Sequence, residues 1–566
     1  MASLRNQSLI KCEHLTFRHE DEQKPVFKSI DFTLYPGEAI LLLGPSGCGK
    51  STLAFCLNKL YPEAVDGELE GTVSYKGKML EEFRPGEINK HIGIVFQDPE
   101  SQFCMTTVED ELAFGLENMK TPPEEIGCKI DEALKLVHLL PFKHALIHTL
   151  SGGQKQKLAL ACVLSLKPEI LILDEPTANL DPASSHELTR IIKRIKDERA
   201  LSLLIIEHKL DDWIDLTDRC LVLNREGEIL FNGSHADCFN TYAEELQAEG
   251  IWLPNTVKAG LLTKKAGIFT GKELPLNHEE MIAGLISPDS ALQFLDNKKN
   301  TPTCLEKQTI LSAKDLSFNI GPKELLKSIS FTVKKGEFVA ISGSNGSGKT
   351  TLSRLLAGLF SPSSGEILYH DRPLSSWKEH ELRNKLGYVF QNPEHQLIAD
   401  TVTDEIAFSL KIQHMPDNEI QKIVQTTLKQ VNLLHHGDMH PFSLSQGQKR
   451  RLSVASMLVN EQELLLLDEP TFGQDAKTAR ELMALMEEKI QSGSSVVMIT
   501  HDMEILHSYA DKVIVLSDGE KIYEGTPAEL WKEQEIMKLA SLKVPYIEKL
   551  KDELRAMSRR EKLAFT

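Results

Sequence analysis

The amino-acid sequence predicts an α/β protein built from two tandem copies of one domain, each centred on a mainly parallel sheet. Three observations support this. Five short motifs occur twice, in the same order and at nearly equal intervals. Each copy holds apolar runs of strand length with no polar face, as strands covered on both sides require. Helical patterns follow those runs directly. The length agrees, since 566 residues exceed the roughly 100–200 of a usual domain.

The repeated motifs are GPSGCGKST at Gly44–Thr52 and GSNGSGKTT at Gly343–Thr351, then VFQDPESQ at Val95–Gln102 and VFQNPEHQ at Val389–Gln396. LSGGQ at Leu150–Gln154 pairs with LSQGQ at Leu444–Gln448, and LILDEPT at Leu171–Thr177 with LLLDEPT at Leu465–Thr471. IIEH at Ile205–His208 pairs with MITH at Met498–His501. Lys50 to Gln97 spans 47 positions, and Lys349 to Gln391 spans 42. Gln97 to Ser151 and Gln391 to Ser445 both span 54, and the next interval, to Glu175 and Glu469, is 24 in both copies. The last interval is 33 to His208 and 32 to His501. Such spacing means a duplicated domain.

The apolar runs Ala39–Leu43, Ile170–Leu173 and Leu203–Ile206, with Phe338–Ser342, Leu464–Leu467 and Val496–Thr500 in the second copy, suit buried strands. Helices are expected over Lys50–Leu60 and Lys349–Leu359. The stretch from about Tyr242 to Thr303 has no motif counterpart and reads as a linker with short helices. The expected boundaries are 1–245 and 306–540 for the two domains, 246–305 for the linker and 541–566 for a tail.

Composition removes several classes. Hydrophobic residues are 41% and charged residues 26% of the chain, which excludes a largely disordered protein or a fibre. The net charge of -18 argues against an extended nucleic-acid partner. No apolar run approaches the ~20 residues that cross a bilayer, and the N-terminus lacks a signal-like apolar core. Nine cysteines, with no CxxC pair and none after Cys304, suggest free thiols in a reducing compartment.

GxxxxGK[ST] between a strand and a helix is a phosphate cradle. Its glycines let backbone N–H groups face phosphates, and the helix adds its positive N-terminal end. The candidate binding residues are Gly44, Pro45, Ser46, Gly47, Cys48, Gly49, Lys50, Ser51 and Thr52, then Gly343, Ser344, Asn345, Gly346, Ser347, Gly348, Lys349, Thr350 and Thr351. The lysines should reach the β- and γ-phosphates, and Ser51 and Thr350 should ligate Mg²⁺. An Asp-Glu pair ends a strand in each copy, and alternation along the strand gives the neighbours different tasks. Asp174 and Asp468 suit the metal, directly or through water. Glu175 and Glu469 suit a base that polarises the attacking water.

Together with Gln97, DEPT and His208, the LSGGQ sequence makes each half resemble the nucleotide-binding domain of ABC ATPases. That resemblance implies a P-loop core with a β-rich and a helical subdomain, and ATP with Mg²⁺ as the ligands. It also implies intramolecular pairing of the two copies, head to tail. One site would join Lys50, Gln97, Asp174, Glu175 and His208 to Ser445, Gly447 and Gln448. The other would join Lys349, Gln391, Asp468, Glu469 and His501 to Ser151, Gly153 and Gln154. In the family the glutamines also serve the metal, the histidines contact the γ-phosphate, and Asp181 and Asp475 occupy the D-loop position.

The copies depart from the pattern at three places. Gln446 replaces the first glycine of the signature. His19 and Ile320 stand where the family stacks an aromatic ring on adenine. Phe472, Gly473 and Gln474 differ from Ala178, Asn179 and Leu180.

QDPESQFCMTTVEDELAFG at Gln97–Gly115 and QNPEHQLIADTVTDEIAFS at Gln391–Ser409 share a PExQ…TVxDExAF pattern. That pattern, with Glu249–Gly284, resembles the ATPases of energy-coupling factor importers for vitamins and transition-metal ions. It implies an integral-membrane coupling subunit, a small membrane protein that captures substrate, and a peripheral place on the cytoplasmic face of the cell membrane. Two readings compete with it. An ordinary importer ATPase for another solute shares the motor chemistry. A soluble ribosome-acting twin-ABC protein would carry a long basic linker, whereas this linker is slightly acidic.

Overall fold

The computed structural model describes residues 8–20, 22–178, 180–296, 308–460 and 462–564. Asn179, Cys304 and the expected linker's residues 297–305 therefore lie outside the described residues. The chain divides into two compact units, one of residues 1–296, 475–477 and 550–566, the other of residues 297–474 and 478–549. Residues 246–296 of the expected linker thus belong to the first unit. They form helices Asn255–Lys265, His278–Ala283 and Pro288–Asp296, and the last two pair with residues of the final helix, Tyr546–Ala564, that lie in the same unit, through His278–Glu553, Lys551–Asp296 and Ser558–Asp289 contacts.

In the first unit a six-stranded sheet runs, edge to edge, Ile229–Gly233, Arg219–Leu223, Ala39–Leu43, Ser202–Ile206, Ile170–Asp174, Ile92–Val95. All neighbours are parallel except the first pair. The continuous apolar runs are explained by two cores. Leu41, Leu43, Leu171, Leu173, Leu203 and Ile205 face one. Ile40, Leu42, Ile170, Ile172, Leu204 and Ile206 face the other. A separate antiparallel sheet joins Phe27–Leu34, Ile10–His19, Gly67–Tyr75 and Lys78–Met79. A helical group holds Val108–Asn118, Pro123–Leu136 and Gly152–Ser165.

The second unit repeats this plan. Its six strands run Leu386–Val389, Leu464–Asp468, Ser495–Ile499, Phe338–Gly343, Lys512–Ser517, Glu520–Gly525. Its antiparallel sheet joins Lys323–Lys334, Thr309–Ile320, Ser364–Tyr369 and Arg372–Pro373. Its helical group holds Val402–Ile412, Asp417–Gln430 and Gln446–Leu458 around a small apolar core.

The helices after the phosphate loops end earlier than expected, at Leu57 and Leu356. A Schellman turn stops each. Lys59 N–H donates to Cys56 O and Leu60 N–H to Phe55 O, while Gly358 N–H donates to Leu355 O and Leu359 N–H to Arg354 O. The left-handed position is an ordinary glycine at 358 (φ 68°) but Lys59 in the first copy (φ 63°), which hid that stop from the sequence.

Candidate functional site

Parallel strands deliver their C-terminal ends to one edge of a sheet, and ligands of open α/β sheets bind there. In the first unit that edge receives the phosphate loop after Leu43, Gln97 after Val95, the Asp174–Glu175 pair, and His208 after Ile206. The second unit delivers Gly343, Gln391, Asp468–Glu469 and His501 likewise.

Each loop wraps a cradle. Gly49 and Gly348 precede their helices at φ 94° and 96°. A Cβ on Gly348 would stand 2.5 Å from Leu326 Cδ2, so backbone twist and close approach both demand glycine. Lys50 Nζ donates to the carbonyls of Gly44 at 2.8 Å and Pro45 at 2.9 Å. Lys349 Nζ does the same to Gly343 at 3.0 Å and Ser344 at 2.8 Å. The ammonium groups are thereby held within the cradle. Burial raises the thiol pKa of Cys48 in this loop.

Burial pushes the Asp174 carboxyl up to about 6, although the Ser51 hydroxyl opposes it. Asp468 is likewise pushed up to about 6 by burial and by Glu469, with Thr350 opposing. Asp174 Oδ1 and both carboxylate oxygens of Asp468 are buried without a hydrogen-bond donor. Such orphaned oxygens beside a hydroxyl fit a hard divalent cation. Among the described residues no group of three or more His, Cys, Asp or Glu side chains could hold a metal. The hydroxyls and the nucleotide's own oxygens must complete any such coordination.

Glu175 and Glu469 have left-handed backbones, φ 46° and 49°. Strain of this kind gathers at functional positions. Their amides donate to Ile206 O and Ile499 O, which pins both turns to the next strand. Glu175 Oε1 lies 2.9 Å from His208 Nε2, and Gln97 Nε2 donates to Glu175 Oε2 at 2.7 Å. Glu469 Oε1 lies 2.8 Å from His501 Nε2. Burial alone would raise both glutamate pKa values, and the facing histidines with the loop lysines more than reverse it, so each carboxyl sits below its ordinary range. Burial opposes charge on His208, but Glu175 raises its pKa overall.

The signature sequences are capping boxes. Ser151 accepts from Gln154 N–H at 3.3 Å, and Gln154 Oε1 accepts from Ser151 N–H at 2.8 Å. Ser445 and Gln448 repeat both contacts. This S-x-x-Q pairing starts the helices Gly152–Ser165 and Gln446–Leu458. Gly153 and Gly447 lie in the first helical turn. Gln446 points its amide at Glu394 Oε1, 3.4 Å away. Glu394 also accepts from Lys449 at 2.7 Å, and Glu100 pairs with Lys155 in the first copy. The PExQ glutamates thus tie this segment to the signature helix.

The acidic residue of TVxDE has a similar structural task. Glu111 accepts from the amides of Cys104 and Met105, and Glu405 from those of Ile398 and Ala399. His19 packs edge-on against Phe17, whereas Ile320 is 59% exposed at the end of its strand.

Two residues escaped the motif reading. Glu207 is buried and accepts from Thr177 Oγ1 at 2.6 Å, Thr177 N–H at 3.3 Å and His208 N–H at 2.9 Å. Its counterpart Thr500 accepts from Asp502 N–H at 3.0 Å. Arg450, opposite Gln156 in the first copy, donates to backbone carbonyls in the second site. Placing the two copies in register was the signal available for both.

A glycine-wrapped phosphate loop beside an acidic strand end makes each half a P-loop nucleoside triphosphatase. The ABC transporter family model matches residues 27–178 and 326–472. An ATP-binding protein of Bacillus subtilis (strain 168) named for HMP/thiamine import, YkoD, is 46% identical over 541 residues, covering 95% of each chain. An ABC transporter ATP-binding protein of Methanosarcina mazei is 36% identical over 558 residues, 97% of this chain and 94% of its own. The solved structure of cbiO1 from Clostridium perfringens, described as part of the ABC transporter complex cbiONQ, is 36% identical. It covers 44% of this chain and all of its own, with a TM-score of 0.37. The chain belongs to the ABC transporter family and is an ATPase with two ABC domains.

Proposed function

We propose that this ATPase is the energy-coupling subunit of an energy-coupling factor importer carrying a vitamin, a vitamin precursor or a metal ion. The observation that carries the reading is the pair of glutamate-pinned loops after Gln97 and Gln391, which lead into helices with exposed Phe114, Phe408 and Ile412. Apolar surface of that kind suits the cytoplasmic helices of a membrane subunit. Among the described residues no helix is long and apolar enough to cross a membrane, so transport requires such a partner. The 46% identity to a protein named for HMP/thiamine import favours that class of cargo. The chain would then sit peripherally on the cytoplasmic face.

In this reading ATP lies between the phosphate loop of one copy and the signature of the other. Lys50 and Lys349 bind phosphate oxygens. Ser51, Thr350, Asp174 and Asp468, with Gln97 and Gln391, hold Mg²⁺, which supplies charge neutralisation on the phosphates. Glu175 and Glu469 orient a water and accept its proton as its oxygen bonds to the γ-phosphorus, while ADP leaves. Their lowered pKa values keep them ionised for this at neutral pH. His208 and His501 hold the glutamates and face the γ-phosphate. Fusion of the two halves fixes their stoichiometry and raises their effective concentration for each other.

Affinity purification of the full chain from detergent-solubilised membranes tests the proposal. Recovery with an integral coupling subunit and a small capture protein is expected, together with ATP-dependent uptake of labelled thiamine, its pyrimidine precursor or a transition-metal ion. Recovery with ribosomes and no integral membrane protein overturns it. Recovery with another class of permease moves the chain to ordinary importers.

A further inference from the structure

We propose that Arg450 is a positioning residue that binds the second copy's signature helix to its own catalytic loops, a tie the first copy lacks. The inference rests on the assignment of Gln391 and Glu469 to hydrolysis.

Arg450 lies on the helix Gln446–Leu458, two residues past the signature glutamine, and is buried. Its Nη1 donates to the backbone carbonyl of Glu469, and its Nη2 donates to that of Gln391 at 2.6 Å. Its guanidinium carbon lies 5.4 Å from the ring centre of Phe472. One planar group thus touches the turn carrying the proposed base, the loop carrying the metal-side glutamine, and the segment after DEPT. Burial lowers its pKa to about 10 against the pull of Glu469 and Asp468, so it stays charged at neutral pH. A planar fork suits two separated carbonyls in a way that a single ammonium cannot. Nearby, Gln474 Nε2 donates to Gly447 O at 3.4 Å, a second stitch between the segment after DEPT and the start of the signature helix.

The first copy holds the same backbone plan without the fork. Gln156 occupies the matching place, is buried, and its Nε2 has no hydrogen-bond partner. Ala178 and Leu180 stand where Phe472 and Gln474 stand. Departures in the second copy that look like separate substitutions in the sequence therefore act as one device. The helix that presents Ser445, Gly447 and Gln448 is coupled to Glu469 and Gln391 through Arg450. Movement of that signature is accordingly linked to the geometry of the second copy's own base.

The test compares Arg450→Gln, which installs the first copy's residue, with Arg450→Lys and Glu469→Gln in the full chain carrying Glu175→Gln to silence the first copy's site, reading kcat and KM for ATP and the melting temperature. Arg450→Gln is expected to lower kcat about tenfold with KM changed by less than about twofold, the pattern of a lost transition-state arrangement. Arg450→Lys, which retains one charged contact, is expected to recover part of the rate. If Arg450→Gln does not fold, Arg450→Lys alone is read, with a reduced kcat at unchanged KM expected. A folded variant with unchanged kcat, or with KM raised and kcat retained, overturns the tie. Glu469→Gln separates the two failures. If it hydrolyses normally, the catalytic assignment itself has failed. If it is slow while Arg450→Gln is normal, only the Arg450 tie has.

Discussion

Glu207 accepts the Thr177 hydroxyl at 2.6 Å and the His208 amide at 2.9 Å, joining the turn after the proposed base to the turn carrying the histidine. Thr500 replaces it in the second copy. Removing a buried acceptor leaves its donors unsatisfied, at about 1–3 kcal/mol. Glu207→Ala should destabilise the chain by that amount and slow turnover. Glu207→Gln, which keeps one accepting oxygen, should do less. Urea unfolding and steady-state hydrolysis on both variants check this, and equal stability of Glu207→Ala and wild type would rule it out.

Glu175→Gln and Glu469→Gln remove a proton acceptor while preserving shape. Each should slow hydrolysis at its own site by roughly 10²–10⁴-fold, the usual worth of a positioned base. ATP binding should persist. Near-normal hydrolysis in the double variant would take both residues out of the chemistry.

Gln446 places a side chain in the first turn of the second copy's signature helix, where the first copy has Gly152. Gln446→Gly should change the rate at the site built on Lys50 more than at the site built on Lys349. A change of roughly two- to tenfold matches the ~0.5–1.5 kcal/mol of one hydrogen bond. Each site can be followed with the other silenced by its glutamate-to-glutamine variant. Equal effects would contradict the cross-paired arrangement.

Gln448 turns its oxygen to Ser445 N–H, leaving its amide nitrogen to donate to His436 Nε2 at 3.1 Å. That nitrogen can accept only while unprotonated. Burial, then Arg451 and His435, lower the His436 pKa below its ordinary 6.5. The unfolded chain therefore takes up the proton first. Stability from this group is present above pH ~6.5 and declines as pH falls through that value toward the lowered folded pKa. His436→Phe, which installs the residue found at Phe142, should flatten that part of the stability–pH curve. Urea midpoints at pH 7.5 and 5.5, values chosen about one unit either side of the ordinary histidine pKa, provide the comparison.

Strands and phosphate loops were legible because their signals are local. Leu171–Leu173 needs two apolar faces only because cores lie on both sides, and GxxxxGK[ST] carries its backbone twist in its own glycines. The stop at Lys59 was not legible, since a lysine in a left-handed turn leaves no compositional mark. Ser151 and Gln154 were readable as a nucleotide contact, yet their pairing as a helix cap needs only the S-x-x-Q spacing. Glu207 and Arg450 remained hidden for a different reason. Each acts across strands or helices far apart in sequence, and only the fold brings their partners within reach.

The positive φ of Glu175 and Glu469 has an evolutionary corollary. An L-residue there gives up roughly 1–2 kcal/mol that glycine would not. A laboratory selection on heat tolerance alone would drift toward Gly or Asn at both positions and return a sturdier, idle motor. Both halves carry the twist at the same place, so this strain is shared equally by the two proposed sites.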